Sequence, residues 1–210
     1  PTGRSALTLI ALALMAVIGV NADRPVGGWP AALLFFGLLV AANSTVLRFE
    51  FRRHRVTLNS TEIPFLLGLF FLPPVTLFVA RVMAMAVAAS RDRLPAVKFS
   101  LNIAATAAGT AIGIAVVYTA GPLDAFSVTT WLALAAAVAT NVAVTFVAVL
   151  SVIALVQRDV SFAEVVKTAV PGAVASVINI AVGLVILVML KVTWWSTVLL
   201  AGLVEAIVIA

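Results

Sequence analysis

The sequence predicts an all-α fold: a polytopic transmembrane helix bundle of about eight membrane segments in two parallel four-segment repeats, with a proline-tipped hairpin at 63–90. Three observations predict it. Apolar residues make up 64% of the 210 positions and charged residues only 10%, with a mean hydropathy of +1.23. That is more apolar surface than a water-soluble domain needs. Apolar runs near the length of one crossing recur along the whole chain, so they are neither a single anchor nor a leader peptide. Basic residues gather in particular breaks between these runs, as they do in loops that stay in the cytoplasm.

The segments, in order, are 5–20, 30–47, 63–90, 100–118, 130–156, 168–190 and 194–210. The link after the second reads "RFEFRRHR" and holds Arg48, Arg52, Arg53 and Arg55; the link after the third holds Arg91, Arg93 and Lys98. If 63–90 crossed the bilayer once, these two basic links would fall on opposite sides. They are expected on the same side, so 63–90 enters and returns, with Pro73 and Pro74 at its tip. Residues 63–72 are enough for about 15 Å of helix, half a bilayer core, and irregular backbone at that depth must be enclosed by protein. A proline kink in one continuous span and a re-entrant loop are the competing readings of this segment.

Of the 13 Lys and Arg residues, ten then face the cytoplasm, Arg24 and Lys191 face outward, and Arg81 lies within the membrane. Both termini are cytoplasmic in this topology, which fits a bacterial inner membrane. The net charge of +5 is read as topology and contact with anionic lipid heads, not nucleic-acid binding. The chain forms a single membrane domain, 1–210, with one repeat over about 1–99 and the other over about 100–210. Asn43 corresponds to Asn141, and "NSTE" at 59–62 to "SFAE" at 161–164. Because it begins without Met and ends within an apolar run, the chain is expected to be a fragment of a longer protein.

Full charges are expensive in hydrocarbon and face a partner, a ligand or a water-filled interior. Arg81 and Glu205 are the two placed there by the segment boundaries. They are candidates for a ligand pocket, for a structural ion pair with one another, or for snorkelling to an interface. Asn102, Asn141 and Asn179 interrupt apolar runs as interhelical glue or pocket lining. Asn59 with Glu62, and Ser161 with Glu164, have the spacing of a capping box, in which the carboxylate returns to a free backbone N–H. Ala105, Gly109 and Gly113 form a small-residue series that lets another helix approach, within the chain or from a second copy. Cysteine is absent, His54 stands alone, and no phosphate loop or nucleophile–base arrangement is present. The segment is therefore expected to be neither an enzyme nor a binder of metal or cofactor.

The run "LRFEFRRHRVTLNSTEIPFLLGLFFLPPVTLFVARVM" with "RDRLPAVKFSLNIA" resembles the N-terminal multi-span sensor regions of bacterial GGDEF and EAL proteins of cyclic di-GMP signalling. The resemblance covers roughly residues 45 to 105. It implies a membrane input module that biases a C-terminal cytoplasmic signalling domain, in full length a diguanylate cyclase or phosphodiesterase. The layout of short helix, prolines and longer helix is also similar to substrate-binding membrane subunits of energy-coupling-factor transporters, which implies a small-molecule transporter or capture subunit. A passive anchor and dimerisation unit is the third expectation. The partners are the lipid bilayer, a small-molecule ligand under the first two readings, and a second copy under the third.

Overall fold

The computed structural model describes residues 28–44, 46–51, 54–156 and 162–192. In order these form α1 (Trp29–Ser44), β1 (Val46–Phe51), β2 (His54–Asn59), α2 (Glu62–Phe71), α3 (Pro74–Arg91), α4 (Ala96–Thr119), α5 (Val128–Val156) and α6 (Phe162–Val192). The expected segments 5–20 and 194–210 lie outside the described residues. Among the described residues four stretches are long and apolar enough to cross a membrane: Pro74–Arg91, Ala96–Thr119, Val128–Ala148 and Val170–Val192. The molecule is a helical membrane protein.

Its surface carries the stamp of a lipid environment. On α3, Val75, Val79, Met83 and Val87 are exposed at four-residue intervals, while Leu77, Ala80, Arg81 and Ala84 are buried. A helix in water would hide the first stripe; a helix in lipid displays it and turns its few polar groups inward.

Helix α2 is short for reasons visible in its sequence. An acidic residue, Glu62, sits in its first turn, favourable at the positive end of a helix. Pro73 disfavours helical geometry at the residue before it, and Leu72 is extended, at φ −105° and ψ 148°. Pro74 then opens α3 from its first position, where its missing N–H costs nothing.

The chain doubles back at this point. A Cβ placed on Gly68 would meet Leu77 Cδ1 at 2.6 Å, although nine residues of straight helix would hold the two about 13 Å apart. At the far end of the hairpin, Arg91 Nη1 donates to Ser44 Oγ at 3.1 Å. This bond sets the end of α1 beside the end of α3, so the link that follows each begins at the same end of the bundle. A polar cleft of about 130 Å³ lies between those ends, lined by Asn43, Ser44, Ala88, Arg91 and Asp92.

Around the hairpin, α1 packs along α3, α4 lies between α3 and α5, and α6 runs beside α2. The core is centred on α2, whose Phe65, Leu66, Leu67 and Leu69 are buried together with Phe35, Leu77, Leu134, Val138 and Leu187. Between α4 and α5, Gly121 at φ +80° takes the left-handed conformation that ends the first helix, and Trp131 Nε1 donates to Ala125 O at 2.7 Å as the second begins.

Two features depart from expectation. The basic link at 48–55 is a two-stranded antiparallel ribbon, not a simple loop, with Leu47 opposite Leu58, Phe49 opposite Val56 and Glu50 opposite Arg55. Apolar and polar residues alternate from Leu47 to Phe51 and from Arg55 to Asn59, as a ribbon with two unlike faces requires. The repeat expected from Asn59–Glu62 and Ser161–Glu164 does not appear as matching elements. The first opens a helix of 10 residues, whereas Glu164 lies in the first turn of a helix of 31 residues with Pro171 inside it.

Candidate functional site

Helices α2 and α6 run in the same direction. Glu62 meets Ser176 and Asn179, Leu66 packs on Gly183, and Phe70 and Phe71 lie 5.6 and 5.8 Å from Lys191 Nζ. Ser176 and Asn179 are nine and twelve residues beyond Lys167, the last charge before the apolar stretch, about 14 and 18 Å along the helix. Glu62 is thereby carried to membrane depth.

Both of its carboxylate oxygens accept a hydrogen bond there. Ser176 Oγ donates to Oε1 at 2.6 Å and Asn179 Nδ2 donates to Oε2 at 2.5 Å. Charge-assisted bonds of this length are the strong ones, and both donors come from buried side chains one turn apart on α6. The capping role expected of Glu62 is corrected by this geometry. Thr61 is the N-cap and makes no side-chain bond, so Glu62 is the first helical residue and not the third, and Asn59 ends β2. A carboxylate at that first position reaches sideways to a neighbouring helix.

Arg81 of α3 lies against Phe65, one turn along α2 from Glu62. It is 7% exposed, and its guanidinium carbon stands 3.5 Å from the centroid of the Phe65 ring. Glu62 attracts it through space, but that carboxylate is held by α6. Among the described residues Arg81 has no ion pair or hydrogen bond from Nη1, a buried donor. The second orphan is Asn141 Oδ1, pressed against Gly109 where α4 and α5 approach.

Other candidates fall in several places. Asn179 belongs to the Glu62 junction, and Asn102 is half-buried near the start of α4. Ala105, Gly109 and Gly113 are buried, the two glycines facing Asn141 and Ala137 of α5 in the same chain. Pro73 and Pro74 form the tip. Ser161 and Glu205 lie outside the described residues, and with Glu205 the expected pair to Arg81. Sequence reasoning missed Ser176 as a partner of Glu62. Its signal was Ser176 and Asn179 three apart on an otherwise apolar helix, one face aimed at a single acceptor.

The arrangement holds one anchored acid and one buried cation at adjacent points of a half-length helix. Among the described residues no three or more His, Cys, Asp or Glu side chains come together. Comparison of the chain with protein-family models, curated proteins and solved structures gives no match.

Proposed function

We propose that this chain is a membrane-embedded sensory input module that biases a C-terminal cytoplasmic domain of the cyclic di-GMP type. The observation that carries the reading is the junction of Glu62 with Ser176 and Asn179. It ties the half-helix beside Arg81 to α6, the last described helix and so the one nearest in sequence to any following domain. A ligand can shift such a bundle only by binding two of its packings unequally. A carboxylate that can either stay on α6 or turn toward Arg81 supplies two packings. The likeness of residues 45–105 to cyclic di-GMP sensor regions supports the same reading. Its frame is the bacterial inner membrane, eight segments and both termini in the cytoplasm, with no catalysis in this segment.

The test joins the chain ahead of a diguanylate cyclase reporter in a bacterial host and measures cyclic di-GMP. Glu62→Gln and the Ser176→Ala/Asn179→Ala pair should each move basal output several-fold at equal membrane abundance. Output indifferent to all of them, in well-folded variants, sinks the sensory reading. Solute uptake into proteoliposomes would favour the transporter reading instead, which the same buried cation could serve.

A further inference from the structure

Arg81 is placed at a cost that the Phe65 ring and the distant Glu62 offset only in part. It is nine-tenths buried in the middle of α3, and Nη1 is enclosed with no acceptor among the described residues. An enclosed, unsatisfied donor on a charged group is among the costlier features a fold can carry. The acid that could relieve it, Glu62, has both oxygens on α6 donors. Breaking those two bonds would leave Ser176 and Asn179 short of an acceptor, so the fold as it stands keeps the acid off the cation.

Phe65 covers one face of the guanidinium. An acceptor must then approach from the edge, in the plane of the N–H fork. A carboxylate meets that fork with two parallel bonds and cancels its charge; a water molecule can take one bond and cancels nothing. Next to Arg81 on α3 are Ala80 and Ala84, which pack with Leu39, Phe36 and Val40 of α1. The described neighbours of Arg81 are therefore apolar, an aromatic ring on its face and short side chains beside it on α3.

We infer that Arg81 is the recognition residue of a site for a small ligand bearing a carboxylate on an apolar body. The inference takes its purpose from the sensory reading and its chemistry from Arg81 alone. A bound carboxylate satisfies Nη1 and screens Arg81 from Glu62, leaving Glu62 on α6. An empty site leaves Arg81 pulling on Glu62 against Ser176 and Asn179. Occupancy thus changes the pull that Arg81 exerts on the acid that α6 holds.

Such a carboxylate can come from water or from the bilayer, and the test separates the sources. The purified full chain is titrated with butyrate and, separately, with oleate, and its thermal midpoint is followed. Sodium sulfate at equal ionic strength is the baseline. At least one carboxylate should raise the midpoint saturably above that baseline: butyrate for a soluble ligand, oleate for a lipid-borne one. Arg81→Gln should abolish the rise. Arg81→Lys, which keeps the charge and loses the fork, should weaken half-saturation at least tenfold, and it serves if the glutamine variant does not fold. Carbonyl-labelled butyrate or oleate should show a bound ¹³C resonance in the wild type that is absent from the variants. A rise that sulfate reproduces, no rise with either carboxylate, or an unchanged rise in Arg81→Lys overturns the inference. These outcomes are independent of reporter output, so carboxylate binding without output would overturn the sensory reading and leave the site standing.

Discussion

The guanidinium carbon of Arg81 lies 3.5 Å from the ring centroid of Phe65, a residue 16 positions earlier in the chain. In one continuous helix those positions would be about 24 Å apart. This single contact therefore closes the proline hairpin and gives a buried charge its main contact. A desolvated cation over an aromatic face contributes about 2 kcal/mol.

A double-mutant cycle isolates that contact. Phe65→Leu and Arg81→Met should each destabilise the protein, and the double variant should be more stable than the sum of the two by about 1–2 kcal/mol. Unfolding in mixed micelles by a denaturing detergent gives the four free energies. Additivity within about 0.5 kcal/mol would show that the two groups merely touch.

The Glu62 junction gives a sharper test, because its parts fail unequally. Removing either Ser176 or Asn179 leaves one carboxylate oxygen without its donor and should cost about 1–3 kcal/mol. Removing both leaves an uncompensated acid at membrane depth and should cost about 3–5 kcal/mol. Adding Glu62→Ala to that double variant should then restore stability, since the stranded charge has gone. If Glu62→Ala instead adds its full single cost, the acid has another partner.

Glycine substitutions should sort by what their Cβ meets. At Gly109 it would fall on Asn141 Oδ1, and at Gly113 it would stand 3.1 Å from Phe65 Cζ and 3.2 Å from Ala137 O. At Gly37 and Gly172 nothing lies within 4 Å. Gly109→Ala should therefore lower the thermal midpoint the most, while Gly37→Ala should leave it level or raise it through better helix propensity. Pairing Gly109→Ala with Asn141→Ala should recover most of the loss. Equal effects at all four glycines would mean that α4 and α5 are not in close contact.

Hydropathy made the long helices legible, because a bilayer demands length and little else. It placed 100–118 and 130–156 within a few residues of α4 and α5. The hairpin was legible from charge, through the basic residues on both flanks. The ribbon was written beside those charges as a period of two over 47–51 and again over 55–59, but reading the charge alone left that alternation unused. Glu62 was misread because spacing to Asn59 cannot say where a helix begins. With Thr61 as the cap, a shift of two positions turns a capping acid into an interhelical one. Its partners are 114 and 117 residues away, a distance that no local pattern spans.

The topology of the hairpin is open to direct chemistry, since the sequence has no cysteine and every thiol introduced is the only one of its kind. Arg91 Nη1 and Ser44 Oγ are 3.1 Å apart, at the two ends that a single-span reading of 63–90 would put on opposite faces of the membrane. A variant with Ser44→Cys and Arg91→Cys should cross-link within one chain under a short bis-maleimide in intact cells. Both single variants should react with a membrane-impermeant maleimide in the same one of the two vesicle orientations, right-side-out or inverted, and stay unlabelled in the other. The Asn43 side chain, which bonds Leu39 O at 2.8 Å, should leave the neighbouring thiol accessible at the helix end. Labelling of Ser44→Cys from one side and of Arg91→Cys from the other would restore the kinked single span and remove the hairpin on which the placement of Glu62 and Arg81 depends.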